Sequence, residues 1–223
     1  MLALSTCRPQ PDDNNSDMPE GYTRITVNAA IVEPQQVNVR SVDPDGLGVN
    51  NMTLFCFNEF GLFISTETAT IKQHISVDGI SDSGIYTAQI PSHTRIIHFL
   101  GNHSEGLYDA TNFPGQTESM VIANMEGGSG MLVYWSRFEM KDNGTSMHDQ
   151  LSALTYKIGN TTYNGVKLIR NQAKITVENP RDNGFIEISG WDVTNIHAYG
   201  TTAPYHPEKR FPTAGTAFEW PGD

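Results

Sequence analysis

The sequence has few cysteines, few basic residues and no long apolar run. Among its 223 residues there are 2 Cys, and 14 Lys and Arg stand against 25 Asp and Glu, which gives a formal net charge of -11. A surface of this sign repels phosphate backbones, so general nucleic-acid binding is excluded as a function class. No stretch reaches the roughly 20 apolar residues that a helix needs to cross a membrane.

The motifs of the common enzyme classes are also missing. There is no His-Glu-x-x-His, no Cys-x-x-Cys and no dinucleotide-binding fingerprint. Gly127-Gly-Ser-Gly130 lacks the last glycine of a nucleophile elbow and the lysine of a phosphate loop, so we interpret it as a turn. His98 and His103 span a predicted strand and its loop, which favours a packed His98 and a loop His103 over a pair of metal ligands. We therefore expect no catalytic residues, no metal site and no cofactor.

The first residues resemble the end of a bacterial lipoprotein signal. In Met1-Leu-Ala-Leu-Ser-Thr-Cys7 the last four residues resemble a lipobox, the motif that ends in the lipidated cysteine, although Thr6 is less usual there than Gly, Ala or Ser. The resemblance implies that Cys7 begins the mature chain and carries acyl chains as a membrane anchor; an ordinary cysteine is the alternative. Residues 8–20 are rich in Pro, Asp and Asn without an apolar pattern, so we expect a flexible acidic tether there.

Alternating and continuously apolar segments predict β-strands. Tyr22–Ala29 alternates in polarity, as is typical of a half-buried strand. Met52–Phe57 is apolar on both faces, so we expect a central strand in which Cys56 is a core thiol; a disulfide with Cys7 is the alternative. Asn58-Glu-Phe-Gly61 predicts a turn into Leu62–Ser65 and hence a hairpin. The other predicted elements are a helix at Thr117–Met125 and strands at Val37–Val39, Ile85–Ile90, Arg95–Leu100, Met131–Met140, Thr162–Ile169, Ala173–Val177, Phe185–Ile188 and Trp191–Ile196.

This order of elements predicts an all-β protein. Long helices do not alternate with the strands, which favours an antiparallel β-sandwich over a parallel α/β sheet. We assign residues 1–20 to a lipoprotein signal remnant and tether, and residues 21–172 to an N-terminal β-sandwich domain. Residues 173–223 are either the start of a second β domain or closing strands of the first.

Four segments, in this order, resemble the fimbrillin superfamily, which comprises the type V pilins and their minor or tip subunits. The segments are Leu4–Cys7, Asn51–Ile64, Arg95–His103 and Leu168–Val177. The resemblance spans roughly residues 20–200 and implies a transthyretin-like β-sandwich that is exported as a lipoprotein. It is closest to the minor or tip-type members.

The resemblance also implies a mode of assembly. In polymerising members a protease cuts after an arginine, the first strand leaves, and a strand of another subunit fills the groove by β-strand addition. Arg40, which follows the extended residues 22–39, is the candidate cleavage site, and Arg24 is its rival. In the alternative, both are ordinary solvent-facing arginines.

We therefore predict a structural or adhesive subunit of a cell-surface fimbria at the outer membrane, without enzyme activity. Its expected partners are other fimbrial subunits through strand addition, the outer membrane through a lipid anchor, and a host or bacterial surface ligand. Trp220, between Phe218 and Pro221, is the candidate partner contact. The alternative is a glycan-binding lipoprotein of the outer-membrane surface, which the Trp and Tyr residues suggest.

Overall fold

The structure is a computed structural model that describes residues 18–31, 48–77, 80–103, 113–123, 126–128, 132–158, 161–170, 190 and 199–201. These residues form eleven strands and two short helices. The strands are β1 Tyr22–Ile31, β2 Met52–Phe57, β3 Phe63–Val77, β4 Ile80–Pro91, β5 Ile96–Gly101, β6 Glu126–Gly128, β7 Tyr134–Glu139, β8 Thr155–Ile158, β9 Thr161–Asn164, β10 Val166–Arg170 and β11 Tyr199–Thr201; the helices are α1 Glu118–Ala123 and α2 Met147–Ser152.

Seven of the strands close into a ring in the order β1-β10-β7-β5-β2-β3-β4. All neighbours in the ring are antiparallel except β1 and β10, which are parallel. An odd number of strands cannot alternate in direction around a closed ring, so one parallel pair is unavoidable. It falls between the first and the last ring strand of the chain. Outside the ring, β8 pairs with β9, and β6 pairs with β11.

The hairpin of β2 and β3 forms where the sequence predicts it. Asn58 begins the turn, and its side-chain Oδ1 accepts hydrogen bonds from the N–H groups of Phe60 and Leu62. Gly61 adopts a φ of 68°, which glycine reaches without strain. In the ring, β2 lies between β3 and β5, and every residue of β2 except Thr53 is buried. The prediction of a central strand covered on both faces is therefore confirmed.

Two apolar cores lie on the two faces of the sheet that contains β2, one inside the ring and one outside it. The first fills the ring: a void of only about 10 Å³ there is lined by residues of β1 to β5, among them Val27, Leu54 and Phe99. That volume is at the lower limit for one water molecule, so this space is filled by side chains. The second core lies outside the ring, where Val121 and Ile122 of α1 pack against outward-facing side chains that include Phe55.

The all-β class is confirmed, whereas the ladders trace a closed ring rather than two separate sheets. The predicted strands at Val37–Val39, Ala173–Val177, Phe185–Ile188 and Trp191–Ile196 lie outside the described residues, as does nearly all of residues 173–223. Where the chain is described, none of its helices is long and apolar enough to cross a membrane.

Candidate functional site

Among the strands of the ring, β10 has the fewest paired positions with its neighbours. This strand has three partner positions with β1, from Ala29 to Ile31, and two with β7. By contrast, β1 pairs with β4 along Tyr22–Ala30. Along Tyr22–Asn28, no described strand pairs with the side of β1 that faces away from β4. A strand with no described strand neighbour on one side can be extended by main-chain pairing with a further strand, so this stretch, which we call the β1 edge, is the first feature of the candidate site.

Gly165 holds the chain close to β1 where β10 begins. A Cβ atom at this position would lie 2.4 Å from the Asn28 carbonyl oxygen, and the φ of Gly165 is 133°. The Gly165 N–H donates a hydrogen bond of 2.7 Å to the Leu154 carbonyl oxygen. Only glycine fits this position without strain, so the start of the parallel pair depends on it.

Helix α2 lies against β1 and contributes to the core of the ring. Its buried side chains, Met147 and Leu151, belong to the first core, and the Ser146 hydroxyl caps its N-terminus by accepting from the Asp149 N–H. Gln150 fastens the preceding loop, because its side chain bonds both the N–H and the carbonyl oxygen of Lys141. A six-residue helix has little stability of its own, so α2 is held by these contacts.

The second feature is a polar network on the outer face of the ring, which we call the His98 network. Glu118 of α1 lies between His98 and Arg137: the His98 Nε2 is 2.6 Å from Glu118 Oε1, and Arg137 bonds both carboxylate oxygens. Arg137 also donates to Glu139 at 2.7 Å. The indole Nε1 of Trp135 donates to His98 Nδ1 at 2.9 Å. The network joins α1 to β5 and β7.

These contacts fix the protonation of the network. An indole N–H can only donate, so His98 Nδ1 accepts and the imidazole proton lies on Nε2, where it donates to Glu118. Burial lowers the pKa of His98 despite the neighbouring carboxylate. For Glu118, burial alone would raise the pKa, but the hydrogen bonds from His98 and Arg137 prevail and lower it to about 2. A neutral imidazole thus faces an ionised carboxylate.

The His98 network is built to hold α1 in place. The His98 side chain is fully buried, and the side chains of Arg137 and Glu118 are 8% and 14% exposed. Each of the charged groups is already engaged by another member, which is how buried charges are stabilised. Among the described residues, no three His, Cys, Asp or Glu side chains are arranged to hold a metal ion.

The prediction of a packed His98 is confirmed, and Trp135 is buried as well. Sequence reasoning missed Glu118 and Arg137. The alternation of Trp135, Arg137 and Glu139 along one strand was the available signal, since it places all three on one face. His103, predicted in a loop, follows β5 but is buried, with its ring 5.8 Å from that of Phe55.

Of the residues predicted to serve assembly, only Arg24 is described. It is exposed on β1 and pairs with Gln89 of β4, at the third position of the ladder that runs from Tyr22 to Ala30. A protease binds its substrate as an extended chain, so cleavage at Arg24 would first require β1 to leave β4. Cys7, Arg40 and Trp220 lie outside the described residues.

Cys56 is a free, buried thiol, as the sequence predicts. Burial raises its pKa to about 12, so the reactive thiolate form is suppressed. Comparisons of the chain with protein-family models, curated proteins and solved structures give no match.

Proposed function

We propose that the protein is a structural or adhesive subunit of a cell-surface fimbria that assembles by β-strand addition. The lipid anchor at Cys7, the outer-membrane location and the cleavage at Arg40 are parts of this proposal. The observation that carries it concerns the described strands: β1 pairs with β4 along Tyr22–Ala30 and with β10 over three residues. A strand held in this way is the one that can be exchanged.

The transthyretin-like sandwich also belongs to the proposal. Two strands of the ring pair unevenly along their length: β3 pairs with β2 up to Ala69 and with β4 from Thr70, while β1 pairs with β4 almost throughout and reaches β10 only at its end. Such strands act as corners, so the ring can flatten into two layers that share β1 and β3. This supports a sandwich-like packing around one core.

The side chains of β1 determine what a replacement strand must supply. Ile25, Val27, Ala29 and Ile31 point into the core at alternate positions. Burial of each Ile or Val contributes about 1.5–3 kcal/mol, so losing β1 would remove much of the roughly 5–15 kcal/mol that holds a domain folded. Release of β1 is therefore coupled to the entry of another apolar, alternating strand.

A disulfide that locks β1 to β4 tests this proposal. Thr26 and Thr87 are direct partners with hydroxyl oxygens 3.4 Å apart, so Thr26→Cys with Thr87→Cys places two thiols for a bridge. The matched control is Thr70→Cys with Thr87→Cys, which ties β3 to β4 from the same Thr87 position. After arginine-specific proteolysis, we expect the oxidised β1 lock to prevent high-mass assemblies and reduction to restore them. The oxidised control should assemble. Normal assembly of the oxidised β1 lock would refute release of β1.

The structure removes two aromatic residues from the glycan-binding alternative. Trp135 is 2% exposed and Tyr134 is fully buried, so neither offers a platform to a sugar. Titration of oligosaccharides against tryptophan fluorescence separates the two functions. Saturable quenching that persists in Trp135→Phe would favour glycan binding, and absence of quenching would leave the fimbrial proposal.

A further inference from the structure

The chain contains three Asn-Gly dipeptides. Asn143-Gly144 and Asn164-Gly165 lie among the described residues, whereas Asn183-Gly184 lies outside them. Asparagine followed by glycine is prone to deamidation, because no side chain shields the backbone nitrogen that attacks the amide. The two described dipeptides share this chemistry but differ in their surroundings. The structure therefore makes a different prediction for each.

Asn143 and Gly144 are open to reaction. Both are exposed, and among the described residues the Gly144 N–H forms no hydrogen bond. A Cβ atom at Gly144 would meet nothing within 4 Å, so solvent reaches the backbone there. The nucleophile and the water that the reaction needs are thus both available.

The Asn143 carbonyl is also polarised. Its side-chain Oδ1 accepts hydrogen bonds from the N–H of Thr145 at 3.1 Å, from the Thr145 hydroxyl, and from Gln150 Nε2 at 3.1 Å. Donors aimed at a carbonyl oxygen stabilise the negative charge that develops there when a nucleophile adds to the carbon. These three donors favour attack on the Asn143 Cγ.

At Asn164-Gly165 the nucleophile is withheld. The Gly165 N–H donates to the Leu154 carbonyl oxygen at 2.7 Å, and Gly165 is buried against the Asn28 backbone. Attack of the Gly165 nitrogen on the Asn164 side chain would break that hydrogen bond. It would also require Gly165 to move, although the Asn28 backbone leaves it no space. The same dipeptide is therefore protected at this position.

We propose that Asn143-Gly144 is a self-modification site, which converts spontaneously to aspartate and isoaspartate, and that the fold protects Asn164-Gly165. The Gly144 nitrogen attacks Asn143 Cγ and loses its proton to solvent base. The Cγ–Nδ2 bond then breaks, and ammonia leaves a cyclic succinimide. Water adds to either imide carbonyl and opens the ring, so no oxidant or cofactor is required.

The modification changes the loop as well as the charge. Each event adds one negative charge to a chain whose formal net charge is -11. Isoaspartate also inserts a methylene group into the backbone, which displaces the carboxylate from Thr145 and Gln150. Because Gln150 joins this loop to α2, the product form holds α2 less firmly against β1.

Site-resolved mass spectrometry tests this proposal on the full chain. Trypsin places the two dipeptides in separate peptides, because Lys157 lies between them. The folded protein is incubated at mildly alkaline pH, and conversion is followed by the mass gain of replacing an amide with a carboxylate. We expect Asn143 to convert at least about tenfold faster than Asn164, a factor that corresponds to about 1.4 kcal/mol in the barrier. Asn143→Asp provides the standard for the aspartate product.

The same incubation in denaturant is the matched control. Unfolding removes the Gly165 hydrogen bond, so the two sites should convert at similar rates there. Equal rates in the folded chain would overturn the proposal. So would an Asn143 that stays intact in the folded chain while the unfolded chain converts.

Discussion

Glu118 connects a short helix to the sheet by accepting from two different strands. Its carboxylate bonds His98 of β5 and Arg137 of β7, and it is the first residue of α1. An acidic residue there also interacts favourably with the helix N-terminus. The apolar contacts of Val121 and Ile122 add to this attachment, as does the hydrogen bond from the Glu118 N–H to the Gly61 carbonyl oxygen.

Replacing Glu118 tests the His98 network. Glu118→Ala leaves the buried Arg137 with Glu139 as its remaining network partner, and we expect a loss of about 3 kcal/mol in the free energy of unfolding. Glu118→Gln keeps an acceptor without the charge, so roughly half that loss is expected. Urea unfolding monitored by tryptophan fluorescence measures both, with Ser119→Ala, an exposed position on the same helix, as the control. Equal stability of all three variants would show that the network contributes nothing to folding.

The buried His103 predicts a pH dependence. Burial lowers its pKa from 6.5 to about 4, so the unfolded chain takes up the proton more readily than the folded one. The stabilising contribution is complete above pH 6.5 and is lost as the pH falls toward about 4, by at most about 3 kcal/mol. His98, whose pKa is also lowered, acts in the same direction.

The measurement is the free energy of unfolding from neutral pH to about pH 4 for the wild type and His103→Asn. The variant should lose less stability on acidification than the wild type. His148→Asn removes an exposed histidine and serves as control. Parallel curves for the wild type and His103→Asn would rule out this role.

Single residues were predictable where burial decides the outcome. Cys56, His98 and Trp135 lie in apolar surroundings in the sequence, and all three are buried. The partnership of His98 with Glu118 could not be predicted, because the two are 20 positions apart and only folding brings them together. No local pattern encodes a contact of that kind.

At the scale of elements, Gly165 controls how β10 meets β1. Gly165→Ala introduces both an unfavourable φ and a contact with the Asn28 carbonyl. We expect a loss of at least about 2 kcal/mol in the free energy of unfolding. Gly21→Ala, with a φ of 81° and open space around the added Cβ, isolates the backbone strain. If both variants lose the same amount, the close approach to Asn28 has no energetic weight.

Elements with a strong apolar pattern were predicted, and polar or very short ones were not. The alternation of β1 and the two apolar faces of β2 gave both strands. The prediction ended β3 at Ser65, but the strand continues to Val77 through a threonine-rich stretch whose alternation is weak. Helix α2 was missed because its six residues make fewer than two helical turns, and a 3.6-residue apolar periodicity cannot be recognised over so short a segment.

For the whole molecule, the ring should open first at β10. Its ladders to β1 and β7 cover three and two positions, whereas β2 is paired along its full length on both sides. In native-state hydrogen exchange, we expect amides of β10 to exchange through an opening that costs at least about 2 kcal/mol less than that of β2. Exchange of β10 together with β2 would show that the ring opens only as a unit.

The topology could not be predicted from the sequence. Antiparallel neighbours such as β2 and β3 are joined by a short turn that the residues encode. The parallel contact of β1 with β10 joins positions more than a hundred residues apart, and its register rests on the fit of Gly165 against Asn28. The all-β class could therefore be predicted from the apolar patterns of the strands, whereas the closure of the ring could not.

Because the ring has an odd number of strands, the direction of an added strand shows how that strand has been incorporated. A donor strand that replaces β1 must run parallel to β10, and the ring keeps seven strands. A donor strand that inserts between β1 and β10 runs antiparallel to both. The ring then has eight strands, and its one parallel pair is gone. The orientation of one labelled donor peptide would thus tell exchange from insertion.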